Sequence, residues 1–219
     1  LESSGGMVHA YGLAAAQLAR IKEAGLNLTV CIDKVAASGG YMMACVADKI
    51  LAAPFAVVGS IGVVAQVPNF HDLLEKHDID VEVFTAGKYK RTVTVFGENT
   101  EEDKQKFQQE LEETHKLFKD FVRKYRPSLD VEQVATGEHW YGEDAITRNL
   151  VDALQTSDSY ILEKMTDSEL YAIQSRQKPT IAQKLGISQA AQAVVATAID
   201  KLPDTLAKLE SAKMPMVKK

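Results

Sequence analysis

Apolar residues recur at helical spacing through the first part of the chain. In MVHAYGLAAAQLARIKEAG (7–25), Val8, Tyr11, Ala15, Leu18 and Ile21 share one stripe, and Gly25 ends it. The period then shortens. LNLTVCI (26–32) reads as a buried strand, followed by a turn at Ser38 and a short helix running to Val46. KILAA (49–53) and VVGSIGVV (57–64) are apolar runs punctuated by small residues, which predicts strands with tight bends. NFHDLLEKH (69–77) predicts a short helix, and the alternation in IDVEVFTA (79–86) predicts another strand.

Beyond the polar loop GKYKRTVTVFGEN (87–99), Thr100 and Asp103 form a capping-box signature for a long helix over 101–125. Phe107, Leu111, Phe118, Val122 and Tyr125 supply its apolar face, acids crowd its first turn as the helix dipole favours, and Pro127 stops it. DVEQVATG (130–137) and GEDAITRN (142–149) predict two short helices, with LVDAL (150–154) after them. From about Thr166 the texture changes to an Ala-rich helical pattern, broken at Pro203 and ending in the basic KMPMVKK. The expected organisation is a domain over 1–165 with a helical C-terminal extension over 166–219. Strand–helix alternation with short connections predicts an α/β fold whose sheet faces are covered.

Composition narrows the class. With 219 residues, 46% of them hydrophobic and 25% charged, the chain has enough apolar mass for a core. A net charge of −5 and the lack of a long basic block argue against nucleic acid as a partner. Cys31 and Cys45 are too few for a disulfide framework and read as small buried hydrophobes. No run reaches the roughly 18 apolar residues of a membrane span. The chain opens on Leu1 without a Met or a leading strand, and is read as a fragment that leaves a preceding signal or anchor segment open.

Two places hold candidate chemistry. Ser38, in AASGGY, stands where a strand gives way to a helix; serine there is a favoured cap. The same position serves a nucleophile, because helix-start amides lie beside it and two glycines allow close backbone approach. AASGG is not the GxSxG elbow of the α/β-hydrolases, and SSGGMVHAYG fits neither a dinucleotide fingerprint nor a phosphate loop. A nucleophilic serine needs a base. None of the five histidines (His9, His71, His77, His115, His139) comes with a recognisable orienting acid. The cluster Lys88, Lys90 and Arg91 supplies the alternative: Lys90, next to Tyr89 and close to Thr92, Val93 and Val95, becomes a general base if desolvated.

Five stretches, taken together and in order, resemble the signal peptide peptidase A (protease IV) family of serine peptidases, and within it the SohB branch of inner-membrane peptidases. They are LESSGGMVHAYGLAAAQL, CIDKVAASGGYMMACVADKI, APFAVVGSIGVVAQVPNF, TAGKYKRTVTVFGENTEEDKQKF and VATGEHWYGEDAITRNLVD, and they cover about residues 1–155. The resemblance implies a Clp-protease/crotonase-type fold of repeated strand–strand–helix units. It implies a Ser–Lys dyad of Ser38 and Lys90, with an oxyanion hole from the backbone amides of Gly6 and Gly39. It implies no metal or cofactor, peptide substrates such as signal-peptide remnants or membrane-released peptides, and ring-like homo-oligomers whose dyad is shared between subunits. The location it implies is the bacterial inner membrane, with the catalytic domain on the periplasmic side and the anchor in a segment missing from this fragment. Two positions depart from the family's pattern: Ser4 stands where proline precedes the glycines, and Asn149 stands where glycine is usual, a place asparagine fills because it tolerates a left-handed backbone. A crotonase-like acyl-CoA enzyme and a catalytically silent membrane-associated scaffold are the alternatives on the same fold.

Overall fold

The fold is that of a computed structural model, which describes residues 1–173. Residues Leu1–Glu169 form one compact unit, to which every element below belongs. From residue 174 on, the extension expected over 166–219 lies outside the described residues.

Helix α1 (Val8–Glu23) leads into strand β1 (Thr29–Ile32), and Asp33 and Lys34 link it to β2 (Val35–Ala37). Helix α2 (Gly39–Ala44) follows at once, then β3 (Lys49–Ala52) and β4 (Val57–Gly59). After the small helix α3 (His71–Glu75) come the long α4 (Glu101–Tyr125) and α5 (Val131–Val134). Strand β5 (His139–Tyr141), helix α6 (Gly142–Thr147), strand β6 (Ala153–Leu154) and helix α7 (Ser157–Lys164) complete the unit.

The first four strands alternate between two three-stranded sheets. One is all parallel, in the order β1-β3-β6; in the other, β2 runs parallel to β4 and β5 runs antiparallel to it. Each consecutive strand pair, β1–β2 and β3–β4, therefore splits between the sheets, and α2 packs behind the first of them. This is an α/β architecture of repeated strand–strand–helix units, as expected. The core between the layers is made of small and β-branched residues: Ala36, Ala44, Val46, Ile50, Ala52 and Val58 are all fully buried. Tyr41 is buried with them, and its hydroxyl donates to Leu150 O at 2.8 Å. Burial pushes the Tyr41 phenol well above its ordinary range and the Cys45 thiol up to about 12, so both stay neutral.

A clamp closes this core at the end of α4. Arg126, almost fully buried, donates to both carboxylate oxygens of Asp152 (2.9 and 2.8 Å) and to Asn149 O (2.9 Å). Asn149 has φ 59, so the asparagine does take the left-handed turn expected of it. The capping box at Thr100 and Asp103 forms as the sequence predicts.

The clearest departure lies between residues 60 and 99. The run VVGSIGVV is a strand only over Val57–Gly59, and IDVEVFTA forms no strand at all. Its alternation is that of a half-buried strand, but no neighbouring strand among the described residues offers it a ladder, and a lone strand does not persist. Val81, Val83 and Phe84 are exposed instead. Strands β2 and β5 and helix α7 are elements the apolar periodicity did not reveal. On α1 the expected stripe faces the core through Ala15, with Tyr11 and Leu18 packed against it; Ala19 is buried beside them, and Val8 is exposed.

Candidate active site

Strand β2 delivers Ser38 to the start of α2 with φ 53 and ψ −122, outside the regions an L-residue ordinarily occupies. Holding such a backbone costs on the order of 1–3 kcal/mol, which the surroundings must supply. They do so through the main chain: Ser38 N–H donates to Gly59 O at 2.8 Å, and Ser38 O accepts from Met42 N–H at 3.0 Å. The hydroxyl takes no part in capping α2. Ser38 thus starts a helix by its backbone and leaves its side chain uncommitted.

The segment Ser3–Gly6 lies against this turn. Ser3 extends the β2–β4–β5 sheet as a parallel bridge to Ala36, with Ser3 N–H on Val35 O (2.8 Å) and Ala37 N–H on Ser3 O (3.0 Å). Ser3 Oγ is 2.7 Å from the Tyr11 hydroxyl and accepts from Gly5 N–H at 3.2 Å. Gly5 has φ 95, and a Cβ there would stand 2.7 Å from Gly39 N and from Ser38 Cβ. The two glycine turns therefore meet backbone to backbone, which no other residue permits. A side chain at either Gly6 or Gly39 would run into the Tyr11 ring. Gly39 N–H is the first amide of α2 and has no carbonyl one turn back to receive it.

Ser38 opens onto a cavity of about 1030 Å³ whose walls include Ser4–His9, Ser60, Gly62–Val64, Thr114, His115, Thr136 and Gly137. Ser60 also has a left-handed backbone, φ 50, fixed by its N–H on Glu138 O at 2.6 Å. Sequence reasoning missed Ser60, Thr114, His115, Thr136 and Gly137 as cleft residues. For Ser60 the signal was present, in a G-S-I-G run that interrupts an otherwise apolar strand. Among the described residues no Asp, Glu, Lys or Arg lines it, and His9 and His115 are the histidines of the wall.

Lys90 is elsewhere. It is exposed in the segment after Gly87 and lines a different cavity of about 730 Å³, together with Val81, Phe84, Val95 and Phe96. Within one chain the structure does not bring Ser38 and Lys90 to one cavity. Among the described residues Lys90 has no ion pair, whereas Lys88 sits 2.8 Å from Glu102, which raises the Lys88 ammonium above the usual lysine range. Lys88 is therefore engaged with Glu102 at the surface. The segment carrying Lys90 is stapled at its root by the Asn69 side chain, which donates to Thr94 O and Gly97 O, both at 3.0 Å. Farther out it is apolar and open, with Phe84 87% and Phe96 52% exposed. Among the described residues no group of three or more His, Cys, Asp or Glu side chains is placed to hold a metal ion.

Residues 20–171 match Peptidase family S49. The chain belongs to this family, in its SohB-like branch. It is 65% identical over 186 residues to the "Probable protease SohB" of Haemophilus influenzae, a match covering 85% of this chain and 53% of that protein. It is 59% identical over 174 residues to the protein of the same name from Buchnera aphidicola subsp. Acyrthosiphon pisum, covering 80% of this chain and 52% of the relative. The chain thus spans about half the length of the curated relatives it matches. Among solved structures, an enoyl-CoA hydratase/isomerase from Marinobacter aquaeolei aligns at 12% identity with a TM-score of 0.40, covering 97% of this chain and 65% of that one. A likeness of that degree says nothing about chemistry. No helix among the described residues is long and apolar enough to cross a membrane.

Proposed function

We propose that the S49 chain is the catalytic part of a serine endopeptidase in which Ser38 is the nucleophile and Lys90 of a neighbouring subunit is the general base. The observation that carries the reading is Ser38 itself: a strained backbone holds an uncommitted hydroxyl at the mouth of a cavity. In the reaction, Ser38 Oγ attacks the peptide carbonyl carbon while its proton passes to the neutral Lys90 Nζ. The Gly6 and Gly39 amides receive the oxyanion, in keeping with the free first amide of α2. Lys90 then returns the proton to the amine nitrogen as the C–N bond breaks, and a water activated by the same lysine releases the acyl group from Ser38.

Sharing the dyad between subunits is supported by the separation of Ser38 and Lys90 within one chain and by the exposed apolar face around Lys90. A head-to-tail contact that closes into a ring sets such a face against the next subunit. Substrates are signal-peptide remnants or membrane-released peptides. The site of action is the bacterial inner membrane on its periplasmic side, with attachment assigned to the part of the whole protein that this chain does not span.

Co-refolding tests the dyad. Ser38→Ala and Lys90→Ala, each inactive alone, should recover activity when mixed, since random assembly of equal amounts restores about a quarter of the sites in a closed ring. Native mass spectrometry establishes that the two variants share oligomers. Mixed oligomers without activity would place the dyad within one chain. Labelling of Ser38 by a fluorophosphonate separates the peptidase from a crotonase-like or silent protein, neither of which has a nucleophile there.

A further inference from the structure

Helix α4 is charge-rich on most of its surface, and around its middle Glu112, Glu113, Lys116 and Leu117 are exposed. Its rotation is set by Phe118 and Val122, both buried, and His115 lies three residues before Phe118 on the same stripe. His115 is therefore turned inward, where the helix's pattern calls for an apolar residue, and its ring forms part of the Ser38 cavity wall. Its Nε2 is buried with no hydrogen-bond partner among the described residues. The neighbouring Thr114 is not in the same position, because its hydroxyl already donates to Glu110 O at 2.8 Å. A buried polar nitrogen without a partner is unfavourable, and an apolar side chain of the same shape would be more stable there.

We propose that His115 is a substrate-positioning residue of this cleft, pairing through its imidazole with an uncharged polar group of a peptide bound beside Ser38. The proposal rests on the peptidase reading above. No hydrogen bond to a described residue pins the ring, so a turn about its side-chain torsions offers either nitrogen to the cavity. The chemistry of the partner follows from the walls. Among the described residues of one subunit no Asp, Glu, Lys or Arg lines the cavity, and the neighbouring subunit's Lys90 is engaged with Ser38, so the cleft offers an incoming charged side chain no further ion pair, and desolvating such a side chain is costly. What suits it is a neutral peptide, gripped by its backbone carbonyls or by hydroxyl and amide side chains. His115 thereby selects neutral extended segments and fixes their depth in the cleft.

The test uses the full chain carrying Ser38→Ala, so that bound peptide is not consumed, and a pooled library of end-blocked octapeptides analysed by mass spectrometry. The Ser38→Ala chain should retain peptides free of Asp, Glu, Lys and Arg. Adding His115→Phe should lower their retention about tenfold, equivalent to about 1.4 kcal/mol, while His115→Gln, which keeps a donor and an acceptor, should hold within about threefold. In chains with Ser38 intact, His115→Phe should not lower the melting temperature. Unchanged retention with phenylalanine, or a melting temperature that falls with both substitutions, overturns the proposal. If the Ser38→Ala chain retains no peptide the proposal also fails, and the labelling experiment then decides the rest: labelled Ser38 preserves the peptidase reading, and an unlabelled one removes both.

Discussion

Gly40 is the position at which one methyl group should most directly disturb the nucleophile's turn. An alanine Cβ there would lie 2.3 Å from Ser3 O and 3.1 Å from Ser3 C, against ordinary contacts of about 3.5 Å. The obstacle is backbone, so no rotamer relieves it. Ser3 must move by about 1 Å, and it is held by the bonds to Val35 O and from Ala37 N. Losing one or both costs about 0.5–1.5 kcal/mol each, and overpacking adds about 1–3 kcal/mol. The better helix propensity of alanine returns at most about 1 kcal/mol. A net destabilisation of about 2–3 kcal/mol should follow, a fall in melting temperature of roughly 5–10 °C for a chain of this size. Gly12→Ala in α1 is the matched control, since nothing lies within 4 Å of its Cβ and only the propensity gain applies. Thermal and urea unfolding followed by far-ultraviolet circular dichroism measure both. If Gly40→Ala melts at or above the wild type while Gly12→Ala behaves as expected, the close approach of Ser3 to α2 is not what holds the turn.

The Arg126–Asp152 clamp predicts a pH signature. Burial pushes the Asp152 carboxyl up, but hydrogen bonds from Arg126 and Ile50 N–H and the nearby guanidinium charge outweigh it and hold the group below the usual carboxylate range. Its folded value thus lies below the unfolded one of about 3.9, so the stabilisation is complete above that pH and is lost as pH falls through the folded value. Asp152→Asn should cost about 2–3 kcal/mol at pH 7, and urea titrations should show its gap from wild type narrowing under acid; an equal gap at pH 7 and pH 3 would refute this. Cys45, buried and with its thiol pushed up to about 12, should not react with a disulfide reagent at pH 8 until the chain unfolds. A native chain that yields both its thiols at once would contradict that burial.

Much of the fold could be read where one residue's requirement was local. The capping box, Gly25 as a stop and the left-handed Asn149 each follow from the chemistry of a few neighbouring residues. Strand β2 could not be read that way, because Val35–Ala37 is three residues long and takes its partners from Val57–Gly59 and Ser3. The segment IDVEVFTA misled for the opposite reason, since its alternation is real but no strand among the described residues pairs with it. At the site, Ser38 and its glycines were legible because the backbone geometry they permit is written in their residue types. His115 was not, because the fact that matters, a nitrogen turned inward without a partner, depends on how α4 is rotated by Phe118 and Val122.

Strand β5 brings an optical consequence with it. The chain's single tryptophan, Trp140, pairs with Val58 and lies so close over Gly59 that a Cβ there would be 3.0 Å from its ring. Gly59 O receives the Ser38 N–H, and the next residue, Ser60, lines the cleft. The Arg148 guanidinium, just past the end of α6, stands 5.2 Å from the centre of the indole. The single indole is thus built into the strand paired with the one that braces the nucleophile, beside a charge that tunes its emission. Any event that shifts the Gly59–Ser60 turn should register in the native fluorescence of the unlabelled protein.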